Sequence, residues 1–143
     1  TVFKSDTAKT VLLPEKDWFE VDVISCAAPN LRRMSQHNKH WKKNVTDQEL
    51  LDIYKKRINR VLDIARYAKS EVVILGAFGC GAFKNPPDLV AQAFYEVIYD
   101  WDYKKYFKGE CAMKYDFETI ELAVYCPLRD TSNYEVFAKE FSA

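Results

Sequence analysis

Three of the four glycines in this 143-residue sequence fall within six positions. They lie in Gly76-Ala77-Phe78-Gly79-Cys80-Gly81-Ala82-Phe83-Lys84-Asn85-Pro86-Pro87, after the apolar run Glu71-Val72-Val73-Ile74-Leu75 and before a helical pattern that begins at Asp88. A short apolar run closed by clustered glycines reads as a strand ending in a tight loop. Glycine admits positive φ and leaves no Cβ in the way of a close ligand. Gly79-x-Gly81 therefore lets successive backbone N–H groups converge into a nest for an anion. Asn85 reads as the cap of the following helix, with Pro86 and Pro87 at its first positions. Prolines carry no N–H, so the donors fall to the loop itself, about residues 79–83. The alternative is a strand-to-helix turn whose glycines serve packing alone. Phe78 and Phe83 weigh against it, because apolar rings on a glycine-rich loop are costly unless they line a pocket or pack beneath one. Known nucleotide signatures do not fit. The loop spaces its glycines as G-x-x-G-x-G, the reverse of the dinucleotide fingerprint, and Gly81 is followed by Ala82-Phe83 where a P-loop has Lys-Ser/Thr.

The rest of the chain supplies the frame for this loop. Thr1 to Lys4 and Val11 to Leu13 read as short strands. Trp18 to Ala28 is a stronger one, rich in β-branched residues and ending at Pro29-Asn30. Residues 32–45 are polar, basic and aperiodic, hence a surface loop. Thr46-Asp47-Gln48-Glu49 is a capping box. Behind it Leu50, Leu51, Tyr54, Ile58, Val61, Leu62, Ile64, Ala65 and Ala68 recur at helical spacing, giving an amphipathic helix over about 46–69. Glu71 to Ala77 has the look of a strand buried on both faces. A helix from Asp88 to about Tyr99 turns Val90, Ala91, Phe94, Val97 and Ile98 inward. Residues 100–116 are a connector, 117–126 a third core strand, and 133–141 a terminal helix. Alternating strands and helices make an α/β domain, with right-handed crossovers and the ligand crevice at the carboxyl ends of the strands.

Bulk properties narrow the function. A 48% hydrophobic content suffices for a packed core in a single domain of this length. The 21 basic and 21 acidic residues balance, which argues against a broad basic surface for DNA. No run approaches the roughly 18 apolar residues of a membrane span. Cys26, Cys80, Cys111 and Cys126 form no C-x-x-C pair and read as buried, reduced thiols of a cytoplasmic protein. The chain starts at Thr1 in a strand-like pattern, so we expect it to be part of a longer protein.

Other reactive residues have plainer readings beside the chemical ones. Cys80 is a nucleophile only if loop amides lower its pKa and a base stands by, and no histidine is placed to serve. The other reading is a small loop-filling residue. His37 and His40 have i, i+3 spacing but no helical pattern around them, which makes them solvated histidines rather than metal ligands. Lys39, Lys42 and Lys43 form a solvated basic loop or meet polymer phosphates. Asn44-Val45-Thr46 matches a glycosylation acceptor with nothing to suggest secretion. Asn30 is a ligand contact or a turn residue. Tyr125 and Pro127 either flank a base or, for Tyr125, pack in the core. Asp22 reads as a structural or solvent-facing carboxylate.

The sequence Leu75 to Pro87, followed by a helix, resembles the second phosphate-binding loop of the microbial-type poly(ADP-ribose) glycohydrolases, a branch of the macrodomain fold. Val21-Asp22-Val23-Ile24-Ser25-Cys26-Ala27-Ala28-Pro29-Asn30-Leu31-Arg32 is similar to that family's central strand. The helix at 46–69 and the segment 117–137 match its later parts in order and spacing. The resemblance implies a three-layer α/β/α domain with a mixed sheet, over residues 1–143, lacking amino-terminal strands. It implies that the loop wraps the diphosphate and distal ribose of ADP-ribose through Gly79, Cys80, Gly81, Ala82 and Phe83, with Phe83 beside the ribose. Gly76, Ala77, Phe78, Asn85, Asn30 and Tyr125 complete the candidate ligand-binding set. The family's catalytic motif is a glycine run followed by adjacent glutamates, and this sequence contains neither Gly-Gly-Gly nor Glu-Glu. The implied chemistry is general acid catalysis by a glutamate at an anomeric carbon, with attack by water. No catalytic residue is assigned in this chain, and the chain alone is expected to be inactive. It is also expected to self-associate or to need the missing half. A non-catalytic ADP-ribose-binding module is the other reading. Neither reading calls for a metal or a cofactor, and neither involves DNA or a membrane.

Overall fold

A computed structural model describes residues 1–2, 4–5, 9–32, 45–99, 117–126 and 130–142. Its longest element is helix α1, Asp47–Tyr67. The helix starts where the sequence puts it. Thr46 Oγ1 accepts from the Glu49 amide at 3.2 Å, and the Thr46 amide donates to Glu49 Oε2 at 3.0 Å. Two of the donors that a helix start leaves unpaired are satisfied this way. The buried stripe is Leu50, Leu51, Tyr54, Ile58, Leu62 and Ala65. Ile64 and Ala68, expected inward, are exposed, because the apolar arc is narrower than the run of aliphatic residues implies. The helix ends in a Schellman turn: the Lys69 amide donates to Arg66 and the Ser70 amide to Ala65, with Lys69 at φ 59° where glycine is usual.

Strand β1, Val72–Leu75, pairs in parallel with strand β2, Thr119–Leu122, in the register Val73 to Ile120 and Leu75 to Leu122. Helix α2, Pro87–Ile98, lies between them in the chain, as a parallel pair requires a long crossover. Helix α3, Ser132–Phe141, packs on α2, with the Phe137 ring 6.1 Å from that of Phe94. All three helices contribute to one apolar cluster that Val73 and Leu75 face. Across α1 and α2, Lys55 Nζ pairs with Glu96 at 2.5 Å, and Gln92 also donates to Glu96. Burial raises the Glu96 pKa, but the hydrogen bonds from Lys55 and Gln92 outweigh that and hold it below the ordinary carboxylate value.

The α/β class stands as predicted, with differences in the strands. β1 is not buried on both faces: Val73 and Leu75 are buried while Val72 is 51% and Ile74 65% exposed. The described residues contain no second helical layer over that outer face. The expected strand at 18–28 is not one. Among the described residues it has no ladder partner apart from an isolated antiparallel bridge between Val2 and Phe19, and the amino-terminal segments there add only a bridge between Lys4 and Leu12. β-Propensity marks a segment that fits a sheet, but a strand exists only where a neighbouring edge accepts its hydrogen bonds. The connector at 100–116 lies outside the described residues.

Candidate functional site

The parallel pairing carries the carboxyl ends of β1 and β2 to one end of the sheet. Gly76 leaves β1 there, with the Ala123 carbonyl oxygen 3.8 Å from where a Cβ on Gly76 would stand. The chain then folds into two linked turns: the Cys80 amide donates to Ala77 at 3.1 Å and the Lys84 amide to Gly81 at 3.1 Å. The Asn85 amide donates back to Gly79 at 3.2 Å and closes the loop. Among the described residues, the amides of Gly79, Gly81, Ala82 and Phe83 have no acceptor. The Cys80 amide, one of the expected anion donors, is engaged in the first turn.

The two loop glycines have different roles. Gly79 has φ 82°, and a Cβ there would come within 2.6 Å of Ala28 Cβ and of Tyr54 Oη. It is glycine because the backbone turns through the left-handed region against a packed wall. Gly81 would meet nothing within 4 Å. Its missing side chain leaves open space at the mouth of the loop, beside the amides that have no acceptor among the described residues.

Asn85 is not the cap of α2. Pro86 occupies that position with no side-chain hydrogen bond, and Pro87 is the first helical residue. Asn85 is instead only 2% exposed, and its Nδ2 donates to the Pro29 carbonyl at 2.7 Å and the Gly79 carbonyl at 3.0 Å. Its Oδ1 is buried without a hydrogen-bond partner among the described residues. Asn85 thus ties the glycine loop to the segment after residue 28. The Leu31 amide makes a second tie, donating to Phe83 at 3.0 Å. A third is the Arg32 guanidinium, 5.5 Å from the centroid of the Phe83 ring. Asn30 is a turn residue here: its Oδ1 accepts from the Arg32 amide at 3.2 Å.

Beneath the loop, Tyr54 donates its hydroxyl to the Phe78 carbonyl at 2.9 Å and meets the Phe78 ring edge-on at 5.6 Å. Burial drives the Tyr54 phenol well above its ordinary pKa. Burial also pushes the Cys80 thiol up to about 11, with the Asp88 carboxylate adding to the effect. Such a shift disfavours the thiolate that a nucleophile needs, and the buried Cys80 side chain packs the loop. It is the one buried cysteine of those described; Cys26 is exposed and Cys126 intermediate, contrary to the expectation that these cysteines are buried.

The remaining candidates fall as follows. Ala77, Phe78 and Phe83 are half-buried, and Gly76 and Ala82 are exposed. Tyr125 is 81% exposed beyond the end of β2, which removes the core-packing reading. Asp22 is exposed. His37, His40, Lys39, Lys42, Lys43, Asn44 and Pro127 lie outside the described residues. Among the described residues no three His, Cys, Asp or Glu side chains group as a metal site, and no helix is long and apolar enough to cross a membrane. An apolar cleft of about 580 Å³ opens beside the site, between the segment 22–26, α1 and β1, and reaches Gly76 to Phe78 at one end.

Sequence reasoning missed Arg32, Pro29 and Tyr54. Tyr54 sat in the apolar stripe of α1, where a tyrosine among aliphatic residues signals a hydroxyl that needs a buried acceptor. Nothing in the sequence gives the link from Asn85 to Pro29, which spans 56 residues.

No protein-family model and no curated protein matches the chain. Solved structures do. Poly(ADP-ribose) glycohydrolase from Deinococcus radiodurans in complex with ADP-ribose is 26% identical, and the match covers 99% of this chain and 49% of that one at a TM-score of 0.71. Poly(ADP-ribose) glycohydrolase from Thermomonospora curvata is 27% identical over 80% of this chain and 36% of that one, at a TM-score of 0.58. The same enzyme bound to the inhibitor ADP-HPD is 26% identical over 66% of this chain and 32% of that one, at 0.53. The chain therefore spans about half the length of the Deinococcus protein.

Proposed function

We propose that this chain, poly(ADP-ribose) glycohydrolase-like in its fold, is the ADP-ribose-holding part of a hydrolase that cleaves ADP-ribose O-glycosidic bonds. The observation that carries the reading is the loop mouth: amides at Gly79, Gly81, Ala82 and Phe83 with no acceptor among the described residues, around an open position at Gly81. In this reading those amides hold the diphosphate, since backbone donors fixed in a turn meet an anion without reorganising. Phe83 sides with the distal ribose, and the exposed Tyr125 ring takes the adenine side. Asn85 shapes the loop from behind, and Gly79, whose Cβ position is walled off by Ala28 and Tyr54, contributes only its amide. Cys80 contributes packing, not its amide. The glutamate acid of the implied reaction has no assigned residue in this chain, and the polypeptide that carries it is where turnover takes place.

Calorimetric titration with ADP-ribose tests the reading. Gly81→Trp places a bulky ring at a position where a Cβ meets nothing within 4 Å, so it is expected to abolish binding while leaving the melting temperature unchanged. Unchanged affinity in an intact fold rejects the site. The second reading is a module that binds ADP-ribose without turnover. Release of ADP-ribose from the polymer by the intact protein separates the two.

A further inference from the structure

The loop amides carry only partial charges, and a diphosphate brings at least two full negative ones. Amides alone leave most of that charge uncompensated, and a protein with 21 basic and 21 acidic residues offers no general positive field to make up the difference. Arg32 is placed to do so. Its backbone is tied on the amino-terminal side: the Asn30 side chain accepts from its amide at 3.2 Å, and the preceding Leu31 amide is bound to the Phe83 carbonyl at 3.0 Å. Its guanidinium lies 5.5 Å from the centre of the Phe83 ring, and the Phe83 amide has no acceptor among the described residues. The segment cannot drift from the loop, because Asn85, 2% exposed, holds Pro29 and Gly79 together. Stacking on a ring leaves the guanidinium edge, with its forked N–H donors, available to oxygen ligands.

From this geometry we infer that Arg32 is a ligand-binding residue that selects for the diphosphate of the bound nucleotide, an inference that rests on the proposed ADP-ribose site. Arg32 supplies the full positive charge, the loop amides supply the directed donors, and Phe83 holds the guanidinium at the rim.

The test is titration of the protein and its Arg32→Gln and Arg32→Lys variants with three probes: ADP-ribose, ADP and adenosine. Arg32→Gln is expected to weaken ADP-ribose and ADP about tenfold or more and to leave adenosine unchanged. The remaining affinity should depend less on salt, since a screened charge pair has been removed. Arg32→Lys should recover part of the loss, because it keeps the charge but not the planar fork or the stack. Equal weakening of all three probes would mean that Arg32 only braces Phe83, and this overturns the inference. So does an unchanged ADP-ribose affinity in Arg32→Gln. If the unsubstituted protein binds none of the probes, the site reading and the inference fall together; if it binds ADP-ribose and the variants match it, the inference alone falls.

Discussion

Gly79 and Gly81 stand two residues apart, yet the structure asks opposite things of them. At Gly79 a side chain faces both a φ of 82° and a wall 2.6 Å away made by Ala28 and Tyr54. Left-handed strain and overpacking each cost about 1–3 kcal/mol, so Gly79→Ala is expected to destabilise the fold by about 2–6 kcal/mol. Gly81→Ala meets open space and should change stability by no more than about 0.5 kcal/mol. Chemical denaturation of the two variants checks this, and equal losses would show that the loop is not packed as described. The contrast also separates two uses of glycine that a sequence merges. One glycine lets the chain pass close to its own core; the other keeps the mouth of the loop clear for something that is not protein. Cys80 between them illustrates the same division. Its side chain is buried, and burial raises its thiol pKa, while its neighbours' amides have no acceptor among the described residues.

Helices α1, α2 and α3 were legible from the sequence because what makes a helix is local: an apolar stripe at a 3.6-residue period and a start signal within four residues. The capping box of α1 is the sharpest case. Thr46→Ala removes the acceptor for the Glu49 amide and is expected to cost about 1 kcal/mol, read as a shift in denaturation midpoint with no change in slope. A slope change would mean that more than the helix start has been lost. Strands were less legible, for a physical reason. Residues 18–28 have strand composition, but pairing is a property of two segments, and the sequence of one does not say whether the other is in place. The same limit applied to the site. The glycine loop announced itself through local spacing, whereas its braces did not. Asn85 looked like a helix cap because it precedes two prolines, and only the fold shows its amide reaching Pro29. Arg32 read as the start of a basic loop, because the ring beneath it is supplied by Phe83, on the far side of α1 and β1 in the chain.

At the scale of the molecule, the core is one-sided. Leu75 and Val73 point into the helical cluster, while Val72 and Ile74 lie open on the opposite face and Val23, in the segment flanking the cleft, is 82% exposed. Single exposed aliphatic side chains are ordinary, but an outward strand face next to an apolar cleft is a surface that water disfavours. β1 also has β2 as its one ladder partner among the described residues, so a strand edge adjoins that surface. These features lead us to expect that the 143-residue chain, purified alone, associates with itself at micromolar concentration. Sedimentation velocity across a dilution series should show a mass that falls towards the monomer. Ile74→Lys places a charge in the middle of the open face without touching the core side of β1, so it should shift the series towards monomer while helical circular dichroism is kept. A chain that is monomeric throughout and melts in one sharp cooperative transition would contradict this, because such behaviour requires the face to be already covered from within. Association that Ile74→Lys leaves untouched would instead move the contact to another surface, and the outer side of β1 would then need no partner.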